Sequence, residues 1–88
     1  MIFIQLYQII EKMQYKKLGK FIKSKRENLK ISLNEFANAA DVDPAIICRI
    51  ENLKQGIKID CIIKIAKVFN QTAGEFLLEF EKSKYYNK

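Results

Sequence analysis

Between Lys12 and Lys30 the chain sets Lys12, Lys16, Lys17, Lys20, Lys23, Lys25, Arg26 and Lys30 against a single acid, Glu27. Clustered ammonium and guanidinium groups neutralise an anionic partner, whether nucleic acid, an acidic protein surface or anionic lipid. A solvated helix face accounts for the same cluster without any partner. Downstream, Ser32 to Glu51 reads SLNEFANAADVDPAIICRIE, with the spacing of two short helices about a tight turn. The second of them opens with Pro44, Ala45, Ile46 and Ile47, apolar residues where a base-reading helix usually carries hydrogen-bonding side chains, and only then reaches Arg49.

Other chemistries are poorly supplied. The chain has no histidine, and its two cysteines, Cys48 and Cys61, have neither the number nor the spacing of a metal site or a disulfide framework. Each reads as a small packed hydrophobe, and no metal or cofactor is expected. Neither paired carboxylates nor a nucleophile beside a base is visible, so an enzyme is not expected. No apolar run approaches the roughly 20 residues needed to span a bilayer. Met1 to Ile10 is apolar but lacks a basic start and a small-residue cleavage site, so the expected location is cytoplasmic. With 88 residues, 49% of them hydrophobic, and a net charge of +6, the composition is that of one globular domain. A domain this small gains from a partner subunit.

The elements that must position these residues are helices. Residues 1–14 form an N-terminal extension in which strand, docking helix and upstream extension all remain open readings, helix being preferred for the spacing of Ile2, Leu6, Ile9, Ile10 and Met13. Tyr15 to about Leu29 predicts an amphipathic helix with Leu18, Phe21, Ile22, Lys25 and Leu29 on one face. Ser32 and Glu35 form a capping box that starts a second helix at Leu33, with Phe36, Ala37 and Ala40 inward. Asp41 falls where the chain must turn and tolerates a left-handed backbone, and Val42 then drops into the core. Asp43 as N-cap and Pro44 at the first helical position start a third helix that runs to about Asn52 and buries Ile47 and Ile50. A fourth spans about Ile59 to Asn70 with Ile59, Ile62, Ile63, Ala66 and Phe69 inward. Thr72 and Glu75 launch a fifth through Phe76, Leu77 and Phe80 into the Lys82 to Tyr86 region. The expected fold is all-α, a compact five-helix bundle containing a helix-turn-helix over residues 15–81, with residues 82–88 a tail or helix extension and residues 1–14 an extra element. Arg26 on the first helix and Glu51 at the end of the third are placed for a buried ion pair.

Taken together, these spacings carry a resemblance. The run from about Leu18 to Leu78 resembles the helix-turn-helix domain of the phage repressor and Cro type, the xenobiotic-response-element family of bacterial transcriptional regulators. That run is about two-thirds of the chain, and it aligns without a gap through SLNEFANAADVDPAIICRIENLKQGIKIDCIIKIAKVFNQTAGEFLL. The resemblance implies that the third helix lies in the major groove, with Pro44, Ala45, Ile46, Cys48 and Arg49 at the positions of base contact. It puts Ser32, Asn52 and Lys54 in the phosphate shell, and lays the family's arginine–glutamate tie on Arg26 and Glu51. Three residues depart from the pattern. Leu33 stands where many members carry a polar phosphate ligand, Leu53 replaces the glycine that ends the third helix, and Ile57 replaces a frequent proline. Asn52 is expected to take over the left-handed cap.

On this reading apolar side chains meet the thymine methyl and Arg49 takes guanine O6 and N7 as a bidentate pair, worth about 1 to 3 kcal/mol. Lysines on phosphate supply affinity without specifying sequence. Packing of Ile46 and Cys48 against the second helix or a neighbouring subunit is the alternative for those two residues. The expected function is a repressor-like regulator that occupies an operator on double-stranded DNA as a homodimer, with Phe76, Leu77, Leu78 and Phe80 at the dimer interface. A second expectation, from another class, is a protein-interaction module, antitoxin-like, whose apolar third helix or last helix binds a protein partner.

Overall fold

Ser32 sets the start of the second helix by a reciprocal pair of hydrogen bonds. Its Oγ accepts from Glu35 N at 3.1 Å, and Glu35 Oε1 accepts from Ser32 N at 2.8 Å. Thr72 and Glu75 repeat the arrangement at the fifth helix, at 3.1 and 2.8 Å, and Asp43 Oδ1 accepts from Ala45 N at 2.8 Å to open the third. Such caps satisfy amide donors that have no partner inside the helix. The computed structural model describes residues 15–86 and, among them, five helices and no strand. They are α1 (Tyr15–Asn28), α2 (Leu33–Ala40), α3 (Pro44–Glu51), α4 (Ile59–Val68) and α5 (Ala73–Lys82). The N-terminal extension, residues 1–14, lies outside the described residues.

Helix ends are closed by left-handed residues, none of them glycine: Lys30 (φ 60°), Asp41 (φ 58°), Leu53 (φ 65°) and Asn70 (φ 59°) follow α1 to α4 in turn. Asp41 and Asn70 suit that conformation because a short polar side chain tolerates it; for Lys30 and Leu53 it costs about 1 to 2 kcal/mol each. The expectation of a left-handed cap at Asn52 is therefore corrected. Asn52 has φ −94°, and its Nδ2 donates to the Cys48 carbonyl at 2.8 Å, while Leu53 makes the reversal.

Packing centres on phenylalanine. Phe21 of α1 meets Phe76 and Phe80 of α5, each with ring centroids 5.3 Å apart. Phe69 joins Phe36 of α2 at 5.7 Å to Phe76 at 5.9 Å. Leu18, Ile22, Ile47, Ile50, Ile62 and Ile65 complete the buried core. Phe76 and Phe80 are sealed inside this core, so their assignment to a dimer interface is corrected: their contacts are all internal. Leu29, expected inward, is 46% exposed because α1 ends at Asn28 and the chain rotates into the Lys30 turn. Ile63 is 41% exposed, since the buried stripe of α4 runs through Ile62, Ile65 and Ala66 and leaves it on the shoulder. The fifth helix also stops short of Tyr86. Ser83 Oγ donates to the Phe80 carbonyl at 2.7 Å and accepts from Tyr85 N at 3.2 Å. The turn so formed lays Tyr85 against Phe21 and Tyr86 against Phe80.

Lys25 and Arg26 of the N-terminal cluster serve the fold. Lys25 Nζ sits 2.7 Å from Glu79 Oε1 and 4.6 Å from the centre of the Phe69 ring; its hydrogen bond holds the Glu79 carboxyl below the ordinary range. Arg26 grips Glu51 with two parallel bonds, Nε to Oε2 at 2.8 Å and Nη2 to Oε1 at 3.0 Å, and gives Nη1 to the Ile31 carbonyl at 3.0 Å. The two side chains are 12% and 3% exposed. Glu51's hydrogen bonds raise the Arg26 pKa above its ordinary value. Beside it, α1 and α3 approach closely at Gly19, where a Cβ would overlap the Ile50 carbonyl oxygen.

Removing one member of a buried pair strands the other charge, at a cost of about 3 to 5 kcal/mol. Glu51→Ala is therefore expected to lower the melting temperature by about 4 to 8 °C per kcal/mol lost. A thermal melt followed by circular dichroism checks this; an unchanged midpoint would overturn the account of the α1–α3 joint.

Candidate nucleic-acid interface

The turn between α2 and α3 fixes how α3 is presented. Asp41 donates its N–H to the Asn38 carbonyl at 3.2 Å and Val42 donates to Ala37 at 3.0 Å, which closes α2 and turns the chain. Lys64 of α4 braces the turn by donating to the Asp41 carbonyl at 3.3 Å. Val42 is half-buried against the core. Ile47, Ile50 and Glu51 then point α3 inward and are buried, while Pro44, Ala45, Cys48 and Arg49 are exposed along its outer side and Ile46 is half-buried between the two faces. The residues expected at base edges thus share one helix, with Ile46 partly withdrawn into packing. Cys48, read from composition as a packed hydrophobe, is exposed; Cys61 is half-buried.

Arg49 is held from the side. Its Nε donates to Gln55 Oε1 at 2.6 Å, and Gln55 comes from the connection after α3. Asn52 donates to both the carbonyl and the Sγ of Cys48, at 2.8 and 3.3 Å, so its amide N–H groups face the helix and its carbonyl oxygen faces away. Lys54 is exposed, with its backbone N–H on the Arg49 carbonyl at 2.8 Å. Ser32 is exposed at the start of α2, and its hydroxyl oxygen is engaged in the capping box. Behind α3 a cleft of 380 Å³ runs between the α2–α3 turn and the start of α4, with Ile46, Ile57 and Cys61 on its walls and Arg49 and Lys58 at its edge. Burial pushes the Cys61 thiol up, and the neighbouring Asp60 carboxylate pushes it further.

A helix whose outer side is exposed, braced by a second helix across a three-residue turn, is the geometry that enters a major groove. A family model for helix-turn-helix domains matches residues 22–76, from within α1 to the first turn of α5. The chain belongs to the Cro/C1-type helix-turn-helix family. This is a family of DNA-binding transcriptional regulators, and the match takes in α2, the Asp41 turn and α3. The fold is also that of the clp gene regulator ClgR from Corynebacterium glutamicum, at 18% identity and a TM-score of 0.67 over 80% of this chain and 74% of that one. No curated protein matches the sequence. None of the described helices is long and apolar enough to cross a membrane.

Two residues that position α3 and Arg49 lie outside α2 and α3 and went unmarked in the sequence. Gly19 carried a usable signal: a glycine inside an amphipathic helix is costly unless something packs against it. Gln55 carried none, because a loop glutamine is commonplace and its partner lies on the far side of a chain reversal.

The two thiols separate by exposure and by charge. Iodoacetamide is expected to alkylate Cys48 at least about tenfold faster than Cys61, because the nucleophile is the thiolate and Cys61 has both less access and a raised pKa. Mass spectrometry of timed aliquots reads the two rates. Equal rates in the folded protein would contradict the placement of Cys61 against the core.

Proposed function

We propose that the protein is a transcriptional regulator that binds an operator as a homodimer, reading bases with the outer side of α3. The observation that carries this reading is the division of α3. Ile47, Ile50 and Glu51 anchor it, which leaves Pro44, Ala45, Cys48 and Arg49 with no role in the domain's own packing. Ala45 and Pro44 are small or flat enough to let the helix approach thymine methyl groups, and Arg49 supplies the polar reading of guanine. Ser32, Asn52 and Lys54 stand at the two ends of the helix-turn-helix, where phosphates flank a groove-bound helix. Among the described residues of the basic cluster, Lys25 and Arg26 are tied to carboxylates, so phosphate affinity rests on other lysines, Lys54 among them.

Reading and positioning separate in two variants. Selection from a random duplex library supplies the operator. On it, Arg49→Ala is expected to relax discrimination at one base pair by roughly 1 to 3 kcal/mol while leaving random duplex almost unaffected. Lys54→Ala is expected to weaken both alike and to flatten the slope of log affinity against log salt by about one unit. If neither substitution alters binding and the chain retains a protein from its own operon instead, the interaction-module reading takes over; the apolar Pro44–Ala45 tip beside exposed Asp41 and Asp43 is what favours it.

Dimerisation has a surface to use on α5. Leu78 is 51% exposed beside half-buried Leu77, and a two-fold pairing there would present two α3 helices to a palindromic site. Leu78→Glu is expected to leave the fold intact, shift sedimentation toward monomer at about tens of micromolar, and weaken operator binding. Unchanged sedimentation as a dimer would place the interface elsewhere.

A further inference from the structure

We infer that Gln55 is a positioning residue for base reading: it clasps the Arg49 side chain so that the two Nη nitrogens, end-on, form the fork offered to guanine. The inference rests on the reading of Arg49 proposed above. An arginine can address guanine O6 and N7 with Nη1 and Nη2, or side-on with Nε and one Nη. Here Nε is already committed to Gln55 Oε1 at 2.6 Å, and the side-on approach is closed. Gln55 Nε2 in turn donates to the Gly56 carbonyl at 3.4 Å, a long bond that agrees with the amide oxygen facing Arg49.

The backbone brings the two residues together. Leu53 takes the left-handed conformation, φ 65°, and Lys54 N returns to the Arg49 carbonyl at 2.8 Å. That reversal lays position 55 back alongside position 49. A free arginine on an exposed helix samples many rotamers, and each must be surrendered when it docks on a base. Held by Gln55, much of that ordering precedes DNA. The clasp is also neutral. A carboxylate in its place would hold the guanidinium but cancel its charge and set an anion facing the duplex, whereas an amide leaves the full positive charge for the guanine edge.

Three substitutions at position 55 separate positioning from charge and from fold, with binding measured on the selected operator, on that operator with its Arg49-read base pair changed, and on scrambled duplex. Gln55→Leu keeps the size and removes the acceptor. It is expected to reduce discrimination at that one base pair by roughly 3- to 10-fold, the size of one hydrogen bond's net effect, with melting temperature, scrambled-duplex affinity and salt slope unchanged. Gln55→Glu keeps an acceptor, so discrimination stays while affinity for operator and scrambled duplex falls equally. In Arg49→Ala the further change Gln55→Leu has no effect. In the free protein, the Arg49 Nε–H signal in a proton–nitrogen spectrum is expected to be slow to exchange and to broaden in Gln55→Leu, with no DNA present. If Gln55→Leu discriminates as the native chain does while Arg49→Ala loses discrimination, the clasp is idle and the inference falls with the reading of Arg49 left standing. If Arg49→Ala also discriminates normally, both fall.

Discussion

The Arg26–Glu51 pair is the contact on which the placement of α3 depends. One guanidinium reaches three acceptors, two on the last residue of α3 and one on the Ile31 carbonyl just before α2 begins. It therefore joins the connection that leads into α2, the helix it stands on and the end of α3. A dispersive core could not do the same. Apolar packing is non-directional, and Ile47 and Ile50 would tolerate some rotation of α3 about its axis. A bidentate bond fixes the angle. Desolvating both charges is costly, and the energy recovered need not exceed the cost; what the pair supplies is one orientation for the exposed side of a two-turn helix. Gly19 acts in the same place by subtraction, since the absence of a Cβ there lets α1 lie against the Ile50 carbonyl.

Short helices make such fixing necessary. α2 and α3 have eight residues each, too few to persist on intrinsic propensity. Their ends are bound instead by capping side chains and by left-handed reversals. The strained reversal at Leu53 is informative, because a glycine would adopt it more cheaply. The compensation is packing: Leu53 is half-buried, with Cδ2 3.5 Å from where a Cβ on Gly19 would stand. Side-chain burial at the close α1–α3 approach offsets a backbone penalty, and the reversal it holds is the one that returns Gln55 to Arg49.

What was legible in the sequence follows the range of the interactions. Ser32 with Glu35, Thr72 with Glu75, and Asp43 with Pro44 are local, so helix starts could be read from adjacent residues. Phe36, Ala37, Ala40, Ile47 and Ile50 repeat at helical spacing, and all are buried. Readings failed where the outcome depended on a neighbour distant in sequence. Leu29 and Ile63 lie at stripe edges, where a small rotation set by the packing partner decides exposure. Phe76 and Phe80 looked like surplus apolar surface on α5 only because Phe21 and Phe69, which meet them, come from elsewhere in the chain. Lys25 fell on the apolar face of α1 for a reason periodicity could not supply: its ammonium has Glu79 to pair with and the Phe69 ring to lie over. Residue preference alone favours Asn52 over Leu53 for the left-handed cap, and it omits the Leu53 packing against α1.

The chain has two arginines and fourteen lysines, and both arginines occupy sites where a planar fork does what an ammonium cannot. Arg26 turns inward, where three donors in one plane satisfy a carboxylate and a carbonyl together. Arg49 is exposed, with one donor held by Gln55. A lysine at either position would supply the charge as a mobile point on a flexible stem and lose the angular information. A lysine suits a place where angle matters less, such as exposed Lys54, because attraction between an ammonium and phosphate falls off with salt and carries no sequence. If α3 reads bases, its specificity is concentrated in one guanidinium and in the shape of a small apolar tip. The orientation of that guanidinium is then set by a loop glutamine on one side and by the buried pair that orients α3 on the other.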